Sequence, residues 1–284
     1  MLHRTGEGGP AVVFLAGSGL MSLDYVNLHD RVAESTTSVL YDRGGTGWSE
    51  PTQLPRTAAE VTDELRDLLR VAAVPGPYLL VGHSLGGAYA LHYARRFPGD
   101  VAGLLLLDPF HEDMAARAPQ QVRDRLDAMM EQMRAQETLE LTEEQIQQSR
   151  EQMQRHFAAW PPPVRGPLVE RHLATWRVGT QENENLYDEV AEELRRAPAT
   201  PDVPTIVLSA LGHDATQAHL WPAELLREIN DAKLALHAEL AAESRHGEHR
   251  VLHDAGHGWL HEERPDAVLR AVVDLLGRGR VDLR

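Results

Sequence analysis

The residues able to do chemistry together in this chain are a serine between glycines, a histidine between glycines, and one of two aspartates. Ser84 sits in Gly82-His83-Ser84-Leu85-Gly86-Gly87, after the apolar run Leu79-Leu80-Val81 and before an amphipathic segment ending at Pro98-Gly99. A strand turning sharply into a helix lifts the serine hydroxyl above the sheet edge, and flanking glycines let the two chain segments approach closely. The helix starting at Leu85 aims its unpaired N–H groups and positive dipole end at an oxygen that gains charge. This pattern points to nucleophilic attack by Ser84 on a carbonyl.

A serine nucleophile needs a base that titrates near neutrality and an acid that fixes the tautomer of that base. His257, in Asp254-Ala255-Gly256-His257-Gly258, follows the last strand-like run, Arg250-Val251-Leu252, at the edge where Ser84 also points. It is the expected base; His83 packs beside the serine turn. The four-residue recurrence of His249, His253, His257 and His261 mimics a helical metal face, but Gly256 and Gly258 interrupt it, so no metal site is expected. Asp108 ends the strand after the serine helix, and Asp214 follows the next strand. Both keep the order serine, acid, histidine, and by position either can reach the histidine.

The elements that must hold these groups alternate between apolar strands and amphipathic helices. Strands are expected at Ala11–Leu15, Thr37–Tyr41, Leu79–Val81, Val101–Leu107, Pro204–Ser209 and Arg250–Leu252. Continuously apolar strands separated by helices belong to a mostly parallel sheet covered on both faces, so the fold class is α/β. From His111 to about Pro201 strand signals vanish, and four helical segments follow one another, one opening on the capping box Thr142-x-x-Gln145. Residues 110–201 therefore form an inserted helical domain on a core of 1–109 and 202–284. Its apolar positions Met129, Met133, Phe157, Trp160 and Trp176 either pack on the core or line a substrate cavity.

Composition narrows the partners. The 284 residues carry a net charge of −15, which argues against nucleic acid and anionic membranes. There is no cysteine, which excludes disulfides, thiolate chemistry and cysteine metal sites. With no apolar leader and no run of 18 apolar residues, the expectation is a soluble, cytoplasmic protein that needs no cofactor. Nothing in the sequence speaks to oligomeric state.

Together, Gly-His-Ser84-Leu-Gly-Gly, Asp-Ala-Gly-His257, the loop Leu15-Ala-Gly-Ser18-Gly and Asp42-Arg-Gly-Gly-Thr-Gly-Trp-Ser49 resemble the α/β-hydrolase superfamily with a helical cap. The resemblance covers the whole chain. It implies a Ser-His-acid triad beneath the cap and favours Asp214, in the loop after the strand that follows the cap, over Asp108. It also implies an oxyanion hole made by the N–H of Leu85 and that of Ser18, with Gly19 as alternative. Two departures stand out. The usual His-Gly of that loop is Ala16-Gly17, and too few residues precede Ala11 for a full leading β-hairpin, so a shortened sheet or a downstream start is expected. The implied activity is hydrolysis of a carboxylic ester or lactone, a small molecule with a hydrophobic group. Alternatives on the same triad are amide or N-terminal proline cleavage, C–C bond hydrolysis and perhydrolysis, and a ligand receptor with negligible turnover is a further one. Epoxide hydrolase and dehalogenase chemistry would need an aspartate in place of Ser84.

Overall fold

The computed structural model describes residues 1–137, 140–212 and 223–281. Its framework is a seven-stranded sheet: β1 Leu2–Thr5, β2 Ala11–Leu15, β3 Ser38–Tyr41, β4 Tyr78–His83, β5 Val101–Leu107, β6 Thr205–Ala210 and β7 Gly247–Leu252. The order is β1-β3-β2-β4-β5-β6-β7, parallel except for β1. Residues 2–5 carry no buried-strand signal in the sequence, because their side chains are mostly polar and exposed. They pair antiparallel with β3, from Leu2 opposite Tyr41 to Thr5 opposite Ser38, and so cover an edge.

The helices are α1 Val26–Ala33, α2 Ala58–Val71, α3 Leu85–Arg96, α4 Met114–Arg117, α5 Gln120–Glu137, α6 Glu143–His156, α7 Pro162–Ala174, α8 Val178–Asn183, α9 Ala191–Arg196, α10 Ala223–Ala242, α11 Leu260–Glu263 and α12 Pro265–Val281. Pleat alternation splits the central strands between two cores. Leu80, Leu104 and Leu106 meet α2, α3 and the end of α10, whereas Leu79, Val81, Leu105 and Leu107 meet α1 and α12. Local signals set the helix ends: Thr57 and Glu60 form the capping box that opens α2, and Thr142 and Gln145 do the same for α6. Pro161-Pro162-Pro163 ends the preceding turn and also opens α7, where the first N–H groups would lack acceptors in any case. Helices α4 to α9 all lie between β5 and β6, as the change of pattern after His111 leads one to expect.

The chain leaves β2 towards β3 on one side and returns to place β4 on the other. Between the carboxyl ends of β2 and β4 the sheet therefore has the crevice in which open α/β sheets hold their ligands. Close approach of α3 to this crevice depends on Gly86, where a Cβ would lie 2.1 Å from the Leu15 carbonyl oxygen and 2.6 Å from that of Ala16. The Leu15 oxygen is held in β2, and the Ala16 oxygen accepts a buried hydrogen bond from Arg43. Gly86→Ala should therefore destabilise the protein by about 2 kcal/mol despite the better helix propensity of alanine. Thermal denaturation checks this, and a melting temperature equal to wild type would contradict it.

Candidate active site

Ser84 stands between β4 and α3 with φ +51° and ψ −118°, a backbone conformation that side chains other than glycine rarely adopt. The turn is enforced from both sides. A Cβ on Gly82 would meet the Gly86 oxygen at 2.5 Å and the Gly87 Cα at 2.7 Å. The Ser84 N–H donates to the Leu107 carbonyl at 3.1 Å, and the Ser84 carbonyl accepts from Phe110 N–H at 3.1 Å. The serine turn is thus laced to the end of β5, where Asp108 also has positive φ, +44°.

These constraints bring three side chains into one hydrogen-bonded chain. The Ser84 hydroxyl lies 3.0 Å from His257 Nε2, and His257 Nδ1 lies 2.6 Å from Asp108 Oδ2. With Nδ1–H donating to the carboxylate, Nε2 is left to accept the serine proton. Asp108 is fully buried while His257 remains partly exposed. The Asp108 carboxylate also accepts from Ala210 N–H at 3.0 Å and from Lys233 Nζ at 3.0 Å. Burial alone would raise its pKa, but the Lys233 charge and then the His257 hydrogen bond hold it well below the usual carboxylate range. The sequence reading favours Asp214 as the acid. Asp214 lies outside the described residues, and the Nδ1 position it would need is taken by Asp108.

A second chain of bonds, through a tyrosine that sequence reasoning passed over, ties the neighbouring loops together. Gly17 N–H donates to the Tyr25 hydroxyl at 3.2 Å, the Tyr25 hydroxyl lies 2.8 Å from His83 Nδ1, and His83 Nε2–H donates to the His257 carbonyl at 2.7 Å. Complete satisfaction fixes His83 as neutral with its proton on Nε2. Burial, and next the neighbouring His257, push its pKa down to about 3. The loop after β2, the serine turn and the histidine loop are therefore one assembly.

The loop after β2 is also held from the inserted helices. Arg43 donates to the Ala16 and Gly17 carbonyls and makes a buried ion pair with Glu182 of α8 at 2.7 Å. Glu182 accepts from Gly19 N–H at 2.9 Å, and the Ser18 hydroxyl donates to the Gly179 carbonyl at 2.8 Å. Gly19 N–H is thus committed to a carboxylate. Among the described residues, the N–H groups of Ser18 and Leu85 have no protein acceptor.

The other apolar candidates fall apart. Phe157 and Trp160 are buried in edge-to-face contact with each other and with Trp259, and Trp160 Nε1–H donates to the Leu23 carbonyl at 3.1 Å. Trp176 is half-buried with the Arg177 guanidinium 4.3 Å from its ring centre. The side chains of Met129 and Met133 lie outside the described residues. His249, His253 and His261 do not join His257: His249 lies on β7 against Ser209, His253 is exposed, and His261 is buried against Tyr25. Among the described residues, no group of three or more His, Asp or Glu is placed to hold a metal ion, and no helix is long and apolar enough to cross a membrane.

Residues 12–271 match the model of the alpha/beta hydrolase family. The chain belongs to that family. Among relatives, YqjL of Bacillus subtilis (strain 168) is 37% identical over 114 residues, 40% of this chain and 45% of YqjL. Lipase LipV of Mycobacterium tuberculosis (strain ATCC 25618 / H37Rv) is 29% identical over 133 residues, 43% of this chain and 46% of LipV. The match thus spans less than half the length of either relative. A malate-bound thermophilic esterase from Thermogutta terrifontis superposes with a TM-score of 0.61 at 21% identity, covering 98% of this chain and 93% of the esterase. An esterase from Exiguobacterium antarcticum gives 0.62 at 18% identity, covering 96% and 94%. At these identities the structural likeness establishes the alpha/beta hydrolase fold.

The Arg43–Glu182 pair makes a test of the assembly. Glu182→Gln keeps the shape but leaves a buried guanidinium without its counter-charge, which should cost about 3 kcal/mol. Urea denaturation measures it, and a loss near zero would mean that the pair holds nothing in place.

Proposed function

We propose that this alpha/beta hydrolase is a serine hydrolase that cleaves carboxylic esters or lactones carrying a hydrophobic group, through an acyl-enzyme. The observation that carries the reading is the unbroken chain Ser84–His257–Asp108 at the switch point of the sheet. In the proposed cycle, Ser84 Oγ attacks the carbonyl carbon while His257 Nε2 takes its proton. Asp108 holds the imidazole in the tautomer that leaves Nε2 free and stabilises the imidazolium as it forms. The oxyanion is received by the N–H groups of Leu85 and Ser18. Gly19 is unsuited to that role because its N–H is spent on Glu182. His257 then returns the proton to the leaving alcohol, and the same base activates the water that releases the acid.

A hydrophobic acyl group is supported by the partly buried apolar side chains where the inserted cap meets the core, among them Leu20, Leu23, Met153, Leu173 and Trp259. Each methylene buried there is worth up to about 0.8 kcal/mol, or roughly fourfold in kcat/KM. With p-nitrophenyl esters, kcat/KM should rise from acetate towards octanoate; a steady fall along the series would contradict the hydrophobic pocket.

The roles separate by mutation in the same assay. Ser84→Ala should lower kcat by on the order of 10⁴-fold or more. Asp108→Asn should cost about 10⁴-fold, whereas Asp214→Asn should cost less than about tenfold. The reverse order would make Asp214 the acid. A single acylation of wild type without turnover would make the protein a ligand receptor instead.

A further inference from the structure

The chain contains a single lysine, Lys233, and it is spent inside the protein. All other positive side chains are arginines, and several of those described sit in surface ion pairs. Lys233 lies on α10, with only about a tenth of its side chain exposed, and donates to Asp108 Oδ2 at 3.0 Å and to the Ala210 carbonyl at 2.5 Å. The oxygen it touches is the one that His257 Nδ1 touches at 2.6 Å. A fixed cation and the imidazole therefore share one carboxylate oxygen.

We propose that Lys233 is a positioning residue of the hydrolase: it anchors Asp108 towards His257 and, by sharing the carboxylate charge, keeps the His257–Asp108 pair ready to act as a base at lower pH. The inference rests on the hydrolase reading above. Its physical content is a competition. An isolated buried carboxylate gives all its field to the imidazolium, so the pair picks up a proton easily and loses its base as pH falls. The Lys233 ammonium on the same oxygen lies within about 6 Å of the imidazole and opposes that protonation. The same ammonium compensates the burial of Asp108, so the carboxylate remains an anion with one orientation.

Other groups around Asp108 do not supply this charge. His237, from the same helix, has its Nδ1 3.8 Å from Oδ1 but donates Nε2–H to the Pro109 carbonyl and accepts at Nδ1 from Ser209. Burial, before any neighbour, pushes its pKa down to about 4, so it is neutral. His249, on β7, lies 2.7 Å from the Ser209 hydroxyl and has its pKa lowered by burial despite the charge of Asp108, and His83, on β4, is kept neutral by burial behind His257. From β6 the carboxylate receives the Ala210 N–H, which is uncharged. Lys233 is the cation of this cluster among the described residues.

The test uses this protein and the rate of fluorophosphonate labelling of Ser84 as a function of pH. Lys233→Met removes the charge and keeps the unbranched stem, one atom shorter. The acid limb of its labelling profile should move up by about one pH unit, and Lys233→Arg should restore the limb towards wild type. A purely structural lysine would lower the amplitude in both variants without moving the limb, and that result overturns the proposal. If wild type itself does not label, the hydrolase reading fails and takes this inference with it. Labelling with an unshifted limb in Lys233→Met fails the inference alone. Should Lys233→Met not fold, the single lysine still reports in otherwise wild-type protein: ¹⁵Nζ-lysine labelling gives one ammonium signal. That signal should be protected from solvent exchange and should shift in Asp108→Asn; a rapidly exchanging signal that ignores Asp108 overturns the proposal.

Discussion

Helix α3 can reach the carboxyl ends of β2 and β4 only because Gly82 and Gly86 put backbone against backbone where any side chain would collide, and Gly87 leaves room for Pro109 after β5. From that contact the rest follows. It forces Ser84 into a conformation with positive φ, which turns its side chain away from both the strand and the helix. It leaves the first N–H of α3 pointing out of the helix beside that hydroxyl. And it brings the serine turn against the end of β5, so that Asp108, one residue past the strand, is fixed by the same hydrogen bonds that fix Ser84.

Around this strained turn the protein spends buried charge rather than more apolar packing. Asp108 with Lys233, and Arg43 with Glu182, are ion pairs in which both partners are almost withdrawn from water. Such pairs contribute little net stability, since desolvation offsets most of the attraction. What they supply is position. Each charge has one place where it is compensated, and a displaced partner would be left unpaired. The neutral chain Gly17–Tyr25–His83–His257 does the same without charge, binding three loops through groups that are satisfied in one arrangement only.

Much of this was legible in the residues. The serine turn announced itself because its requirements are local: an apolar strand, small residues at fixed offsets and a helix start. His257 was legible because glycines isolate it after the last strand. The inserted helices were legible from the change of hydrophobic period after His111. What the residues hid is non-local. Strand β1 has no buried-strand pattern, because its identity comes from pairing with β3. Whether Asp108 or Asp214 meets His257 depends on which strand end lies nearest β4, a distance that chain order does not encode. Tyr25 and Lys233 sit in ordinary amphipathic surroundings, and only the place of the sole lysine beside Asp108 gives it meaning. Phe157 and Trp160 bear the apolar pattern of both packing and cavity lining, and their burial among aromatic rings assigns them to packing.

In the proposed function Ser84, His257 and Asp108 act as one acyl-transfer unit. A crystal structure of the protein after reaction with a p-nitrophenyl phosphonate tests it most directly. The expected adduct has phosphorus bonded to Ser84 Oγ, its phosphoryl oxygen within hydrogen-bond distance of the Ser18 and Leu85 N–H groups, and His257 Nδ1 still on Asp108. An adduct on another serine, or His257 turned onto Asp214 with Asp108 left aside, would contradict it.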